Sequence, residues 1–271
     1  YNRNRVYPLL HMDEFLNIDD FKNPLLVRKY ISDASDYAML ESLYENKKEG
    51  SSLCLFNVTM QNHSSYDDTD YTFENPVKLT SMTLQPEAEQ YLSLIKMSDD
   101  ALKELITYFE KVKEPVIIVL FGDHQPHLPD YFYKNVMGEM PDDLSQKDAM
   151  KRYQVPFMIW ANYDIQAAEI PQISINYLST LMTETAGLKL TDYQKFLLDM
   201  YQYIPSITAN GFYDRQGNLY SWDDLDEADA ELQEWIKEYR ILQYNYLFDE
   251  EHRKDAHYQL KEKMIWGKKE T

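Results

Sequence analysis

The sequence predicts an α/β fold in which a mostly parallel sheet is flanked by helices and followed by a small C-terminal α+β subdomain. Three short apolar runs, bounded by turn or charged residues, have the composition of buried strands. Segments with apolar residues at helical spacing lie between these runs, and strands that alternate with helices pack as layers. With 271 residues and 44% hydrophobic content, the chain is long enough to bury a substantial core.

Each predicted element follows from the local pattern. Strands are predicted at residues 53–60, 115–121 and 155–161. Helices are predicted at about residues 33–48, 87–113, 173–186 and 191–203. We expect Ser32 or Asp33 to cap the first helix and Thr191 to cap the last, because their side-chain oxygens accept hydrogen bonds from free backbone N–H groups. Gly187 stands where a helix-ending glycine is expected.

The C-terminal quarter of the chain differs in character from the rest. We expect residues 1–205 to form the α/β core and residues 206–271 to form the hairpin and helix subdomain. Gly211 and Gly217 mark the turns of the hairpin. Between residues 225 and 246, apolar residues recur in steps of three and four, as in a coiled coil or in a helix packed on its own domain. The aromatic residues on that face favour packing, and a helical interaction protein is the alternative.

The composition excludes several classes of protein. The chain has 46 acidic against 27 basic residues and a net charge of −19, whereas binding nucleic-acid phosphates requires Lys and Arg. It has no GxGxxG or GxxxxGK phosphate loop, and no apolar run of about 18 residues that would span a membrane. The single cysteine, Cys54, excludes a disulfide framework and a cysteine zinc cluster. Because Cys54 falls in a predicted core strand, we expect it to act as a small buried hydrophobe.

The strongest candidate for chemistry directly follows the predicted strand 115–121. Gly122 permits a tight exit from the strand, and Asp123 and His124 supply one oxygen and one nitrogen ligand for a divalent metal. In an open parallel sheet, ligands bind beyond the carboxyl ends of the strands, which is where this pair lies. The alternative is that Asp123 caps a turn and His124 is an ordinary polar loop residue.

Two further candidates lie earlier in the chain. His63 follows the predicted strand 53–60, so it is expected at the same sheet edge as the metal pair, where it would bind a phosphate oxygen or move a proton. The alternative is a hydrogen-bonded loop histidine. At the start of the chain, Arg3 can hold a phosphate with two parallel hydrogen bonds, and Tyr1 can cover a sugar or glycerol face. A basic start to a chain more often carries no function.

Taken together, these segments resemble the extracellular domain of the lipoteichoic acid synthases, phosphoglycerol transferases of the sulfatase and alkaline phosphatase superfamily. Tyr1-Asn2-Arg3 resembles the family's Trp-Asn-Arg motif, the segment 58–63 resembles its strand ending in Asn-His, and Gly122-Asp123-His124 resembles its metal motif. The segments occur in the family's order and cover most of the chain.

The resemblance implies a metal-dependent transferase in which Asp123 and His124 hold Mn²⁺ or Mg²⁺. It also implies that Tyr1, Arg3 and His63 contact glycerophosphate, with His63 counted as catalytic. In the family, a threonine attacks phosphatidylglycerol and passes the phosphoglycerol group to a cell-envelope polymer. That threonine, a glutamate ligand and membrane-spanning helices are expected upstream of Tyr1, on a parent protein anchored at the extracellular face of the bacterial membrane. We therefore expect the isolated chain to be inactive and monomeric, with an incomplete metal site.

Two other functions are compatible with the sequence. A sulfatase requires a Cys or Ser in a C/S-x-P-x-R context, which neither Cys54 nor any serine of this chain supplies. Phospho-ester or sulfo-ester hydrolysis would therefore depend on an upstream nucleophile. The other function is a non-catalytic module that recognises a glycerophosphate polymer.

Overall fold

The computed structural model describes residues 2–81 and 85–260, and it confirms an α/β fold built from helices and small sheets. The helices are α1 (Arg3–Leu9), α2 (Asp33–Asn46), α3 (Pro86–Phe109), α4 (Asp130–Met137), α5 (Gln146–Met150), α6 (Ile175–Thr185), α7 (Asp192–Tyr201), α8 (Ala230–Leu247) and α9 (Asp255–Tyr258). The strands are β1 (Leu26–Val27), β2 (Tyr30–Ile31), β3 (Ile117–Phe121), β4 (Phe157–Ala161), β5 (Ser206–Thr208), β6 (Gly211–Tyr213) and β7 (Leu219–Ser221).

The strands form three small sheets. β1 and β2 are an antiparallel hairpin in which Val27 pairs with Tyr30. β3 and β4 hydrogen-bond to each other, and β5, β6 and β7 form an antiparallel sheet in that order. The hairpin predicted after residue 205 is therefore confirmed as three short strands.

The predicted helices and their caps agree with the structure. The Ser32 side chain accepts a hydrogen bond from the backbone N–H of Ser35 at 3.1 Å, so Ser32, rather than Asp33, caps α2. Thr191 and Gln194 form a reciprocal capping box at the start of α7. Gly187 follows α6 with a φ of +70°, the left-handed conformation that ends many helices.

The strand predicted at residues 53–60 is not formed, and this prediction was wrong. The segment has no strand assignment, and its apolar side chains are exposed, with Phe56 at 55%. Cys54 is exposed as well, so its expected role as a core hydrophobe was also wrong. A β-strand needs a neighbouring strand to accept and donate its backbone hydrogen bonds, and no other described strand pairs with this segment.

The contacts divide the chain into two compact units. The first comprises residues 1–116 and 121–157, where α2 packs against α3 and a buried cluster includes Val27, Leu94 and Leu128. The domain boundary expected at residue 205 stays a prediction.

The second unit comprises residues 117–120 and 158–271. Leu232 and Ile236 of α8 are buried there in one cluster with Phe212 of β6, so the prediction that this helix packs on its own domain is confirmed. Among the described helices, none is both long and apolar enough to cross a membrane.

Candidate metal and substrate site

The loop that carries Asp123 and His124 is held by the segment that precedes β4. The backbone N–H of Gly122 donates to the carbonyl of Pro156 at 3.1 Å, and the side-chain amide of Gln125 donates to the carbonyl of Gln154. A Cβ at position 122 would lie 3.0 Å from the Cβ of Val155, so glycine is needed for this close approach. The two anchors fix the backbone on either side of the Asp-His pair.

The Asp123 and His124 side chains lie beside each other in this loop. The Nδ1 atom of His124 lies 2.8 Å from the carbonyl of Gln125, which can only accept, so Nδ1 carries the proton and Nε2 offers its lone pair. Asp123 Oδ1 accepts from the backbone N–H of His124, while Oδ2 lies 3.6 Å from His124 Nε2. Two atoms bound at roughly 2.1 Å to neighbouring positions of an octahedral ion such as Mg²⁺ are about 3.0 Å apart, so a small rotation of these exposed side chains would bring both onto one ion.

This pair therefore fits a divalent metal. A backbone carbonyl that holds the second ring nitrogen is the usual support of a metal-binding histidine. The two side chains are 79% and 72% exposed, so an ion reaches them without a conformational change. Within the described residues, no group of three or more His, Cys, Asp or Glu side chains is placed to hold a metal.

His63 lies in an exposed loop in which its Nδ1 atom is also engaged. Nδ1 is 2.8 Å from the carbonyl of Ser64 and 3.2 Å from the hydroxyl of Tyr30. Because the carbonyl can only accept, the proton of the neutral ring sits on Nδ1, and Nε2 is the nitrogen left for a substrate. The Tyr30 and His63 rings are in contact, with centroids 5.6 Å apart.

A buried polar network anchors the two residues that precede His63. The Gln61 side chain accepts from the backbone N–H of Asp33 at 3.0 Å and donates to the Ser98 hydroxyl at 3.1 Å. Asn62 donates to the same hydroxyl at 2.8 Å, and Ser98 in turn donates to the Asp33 carboxylate at 2.5 Å. The network thus ties the start of the His63 loop to α2 and α3.

Two aspartates beside this network have perturbed acidity. Burial raises the pKa of Asp33, while hydrogen bonds from Ser98 and Gln61 oppose the rise. Burial, followed by the negative charge of Asp33, raises the pKa of Asp36 from 3.8 to about 6. Both effects follow from placing two carboxyl groups at the start of one helix in a poorly solvated place.

Arg3 occupies the first turn of α1 and is half-buried. The same helix carries Tyr7, whose ring packs against Phe56 with centroids 6.1 Å apart. Phe56 belongs to the segment 53–60 that precedes His63, so α1 contacts the part of the chain that leads to the second candidate. Tyr1, the other expected substrate residue, lies outside the described residues.

The described site residues therefore belong to one compact unit but to separate elements: Arg3 to α1, and His63 and the Asp123–His124 pair to two different loops. In the described part of the chain, no hydrogen bond joins His63 to Asp123 or His124, so their convergence on one substrate stays a prediction. The residues that hold the His63 loop, Arg28 and Tyr30 above all, were missed by the sequence reasoning. Both lie on a hairpin more than 30 residues before His63, so the pattern around His63 gave no signal for them.

Comparison with known proteins agrees with the motifs. A curated relative, a candidate cyclic beta-1,2-glucan modification protein of Rhizobium meliloti, is 27% identical over 258 residues, which is 92% of this chain and 39% of that protein. The capsular polysaccharide biosynthesis protein RkpI of the same organism is 31% identical over 131 residues, 48% of this chain and 22% of its own length. The chain thus spans less than half of the curated relatives it matches.

A solved structure shows the same fold. The Streptococcus pyogenes phosphoglycerol transferase GacH, in complex with sn-glycerol-1-phosphate, superposes with a TM-score of 0.67 at 21% identity, covering 90% of this chain and 57% of its own. Residues 1–188 match the Sulfatase family, and that match covers well over half of the sequence. The chain therefore belongs to the sulfatase family, as its motifs predicted.

Proposed function

We propose that this chain is the C-terminal part of a metal-dependent phosphoglycerol transferase, which moves glycerophosphate from phosphatidylglycerol to a cell-envelope polymer. The relatives extend well beyond the matched region, since the chain spans 39% of one and 57% of another. In this proposal, the parent protein works at the extracellular face of the bacterial membrane and contributes the nucleophile from outside this chain.

The observation that carries the proposal is the geometry of the Asp123–His124 pair. Oδ2 of Asp123 and Nε2 of His124 lie 3.6 Å apart with their other polar atoms already hydrogen-bonded, so both are free to bind Mn²⁺ or Mg²⁺. Such an ion neutralises charge on phosphate oxygens and lowers the pKa of an attacking hydroxyl. The carbonyl of Gln125 keeps the His124 ring in the tautomer that can act as a ligand.

The substrate side of the proposal rests on His63, Arg3 and Tyr1. With Nδ1 bound to the Ser64 carbonyl, His63 presents Nε2 to a phosphate oxygen or to a proton in transfer. Arg3 binds the phosphate through its planar guanidinium, and Tyr1 covers the glycerol carbons. Support comes from GacH, whose structure holds sn-glycerol-1-phosphate, and from the relatives connected with glucan modification and capsular polysaccharide.

The test uses the full-length parent protein and two substrates, phosphatidylglycerol and an aryl sulfate ester. We expect manganese-dependent release of diacylglycerol from the lipid, and loss of that activity by at least about 100-fold in Asp123→Asn. The matched control is Asp130→Asn, which changes an exposed aspartate at the start of α4.

Three outcomes of this test would overturn the proposal. Cleavage of the sulfate ester with no action on the lipid would identify a sulfatase. Full lipid activity in Asp123→Asn would exclude a catalytic metal at this pair. Binding of glycerophosphate polymer without any turnover by the wild-type parent would identify a non-catalytic binding module.

The isolated chain provides a second test. Asp123 and His124 supply two ligands, and a pair of ligands holds a divalent ion weakly. We expect calorimetry with Mn²⁺ to show affinity weaker than micromolar and lipid assays to show no turnover. Micromolar binding by the chain alone would mean that further ligands exist within these 271 residues.

A further inference from the structure

Arg28 holds the His63 loop through its backbone. Arg28 lies in the turn between β1 and β2 with a φ of +56°. One of its terminal nitrogens donates to the carbonyls of Gln61 at 2.9 Å and His63 at 2.7 Å, and the other donates to the carbonyl of Ser65. A guanidinium is planar and carries several N–H groups in fixed directions, so it fixes three carbonyls of one loop relative to each other.

Two tyrosines, Tyr30 and Tyr66, add further contacts to Arg28 and to the His63 loop. The guanidinium carbon of Arg28 lies 5.4 Å from the ring centroid of Tyr30 and 5.8 Å from that of Tyr66, within the range of cation–π attraction. Tyr66 is buried and donates from its hydroxyl to the carbonyl of Asn62 at 2.9 Å. Hydrogen bonds from Arg28 and Tyr66 therefore hold the backbone carbonyls of residues 61, 62, 63 and 65.

Tyr30 contacts the His63 imidazole directly, through its hydroxyl and through its ring. Its hydroxyl donates to the Ser64 carbonyl at 3.2 Å and lies 3.2 Å from Nδ1 of His63, while the two rings are in contact. These interactions hold the carbonyl that keeps the proton on Nδ1 and limit rotation of the His63 ring. A histidine whose second nitrogen is held in this way presents a single defined nitrogen to a ligand.

We propose that Arg28 and Tyr30 are positioning residues, which fix the tautomer and ring orientation of His63 so that Nε2 faces the phosphate of a glycerophosphate substrate. The assignment of His63 to the substrate rests on the proposed function. The positioning of His63 by Arg28 and Tyr30 rests on the described contacts, so it can be tested without any enzyme activity.

The first experiment reads the His63 ring directly in the isolated chain. Nitrogen–proton correlation spectra of the imidazole, assigned by comparison with His63→Ala, report which ring nitrogen carries the proton. We expect the Nδ1–H form to dominate in the wild type and to become a mixture of tautomers in Tyr30→Phe and Arg28→Lys. Amide spectra of both variants check that the fold is retained.

The second experiment measures glycerophosphate transfer by the full-length protein. Misplacement of a catalytic group by a fraction of an ångström lowers rates steeply, so we expect Tyr30→Phe to reduce kcat/KM by roughly 10-fold, with most of the loss in kcat. In a His63→Ala background, Tyr30→Phe should have no further effect, because the residue acts through His63. Matched controls are Tyr108→Phe, which loses a hydroxyl contact to Glu45, and Arg240→Lys, which loses a stack on Trp222.

Two outcomes would overturn the proposal. An unchanged tautomer in both folded variants would show that the Ser64 carbonyl alone orients the ring. A changed tautomer with wild-type kcat/KM would show that the orientation of His63 does not matter for transfer.

A different result bears on the proposed function. If the full-length wild type does not transfer glycerophosphate, the proposed function fails, and the substrate role assigned to Arg28 and Tyr30 fails with it. The tautomer measurement would still establish whether Arg28 and Tyr30 orient the ring, so the two failures are distinguishable.

Discussion

Replacing Asp36 by Asn should stabilise the protein at neutral pH and leave it nearly unchanged in acid. Asp36 is only 9% exposed, and burial together with the charge of Asp33 raises its pKa from 3.8 to about 6. At pH 7 the folded protein must therefore carry the charge of the Asp36 carboxylate in a poorly solvated place. An asparagine at position 36 removes one charge and keeps an acceptor for the Asn57 side chain that now supports it.

The size of the effect follows from the pKa change. A rise from 3.8 to about 6 is roughly two units, and each unit corresponds to about 1.4 kcal/mol of differential stability. The folded state binds the proton more tightly than the unfolded state, so the favourable contribution is fully present below pH 3.8. It is lost as pH rises through about 6, which leaves a destabilisation of about 2 to 3 kcal/mol at pH 7 that Asp36→Asn should remove.

The assay is urea unfolding followed by far-ultraviolet circular dichroism at a series of pH values from 4 to 7.5. The difference in unfolding free energy between Asp36→Asn and the wild type should grow with pH over this range. Asp99→Asn, at an exposed position of α3, is the matched control and should show no such growth. Parallel curves for Asp36→Asn and the wild type would refute the argument that burial holds the proton on Asp36.

Three glycines give further predictions. Gly211→Ala would place a Cβ 2.1 Å from the carbonyl oxygen of Tyr220, so we expect a loss of about 3 kcal/mol in urea unfolding. Gly217→Ala, where space is open, should lose only about 1 kcal/mol from its positive φ. Gly122→Ala would press on Val155, displace the Asp123–His124 loop and lower transfer by the full-length protein by roughly 10-fold. Wild-type stability in Gly211→Ala, or wild-type transfer in Gly122→Ala, would contradict these expectations.

The helices could be predicted because the information that forms them is local. Ser32 caps α2 and Thr191 caps α7, and each cap is a contact between residues three apart in sequence. The apolar face of α8 could be predicted for the same reason, since its buried residues recur at helical spacing. Signals of this range are visible without any knowledge of the tertiary structure.

The segment 53–60 shows the limit of predictions from local sequence signals. Its composition favours a strand, but a strand forms only when distant residues supply its hydrogen-bond partners. In the same way, Gln61 reaches Ser98 and Arg28 reaches Ser65 across 37 residues of sequence in each case. Contacts of this range carry no signature in a single sequence.

The candidate site combines both situations. The Gly122-Asp123-His124 motif predicted a local arrangement, and the structure places Asp123 Oδ2 3.6 Å from His124 Nε2. His63 was chosen for its place after an apolar run, whereas its orientation depends on Tyr30 and Arg28, which lie on a separate hairpin. The sequence indicated which residues had suitable chemistry. The fold shows which backbone carbonyls set the tautomers of His63 and His124.

The open segment 53–60 has a practical consequence for handling the protein. Leu53, Leu55 and Phe56 are exposed in a segment of strand-like composition that no described strand pairs with, and such a segment can pair with a second chain and start aggregation. The net charge of −19 keeps molecules apart at neutral pH, but it fades as the pH approaches the isoelectric point near 4.6. Solubility of the isolated chain should therefore fall with acid and with added salt, and a lysine at position 55 should restore it.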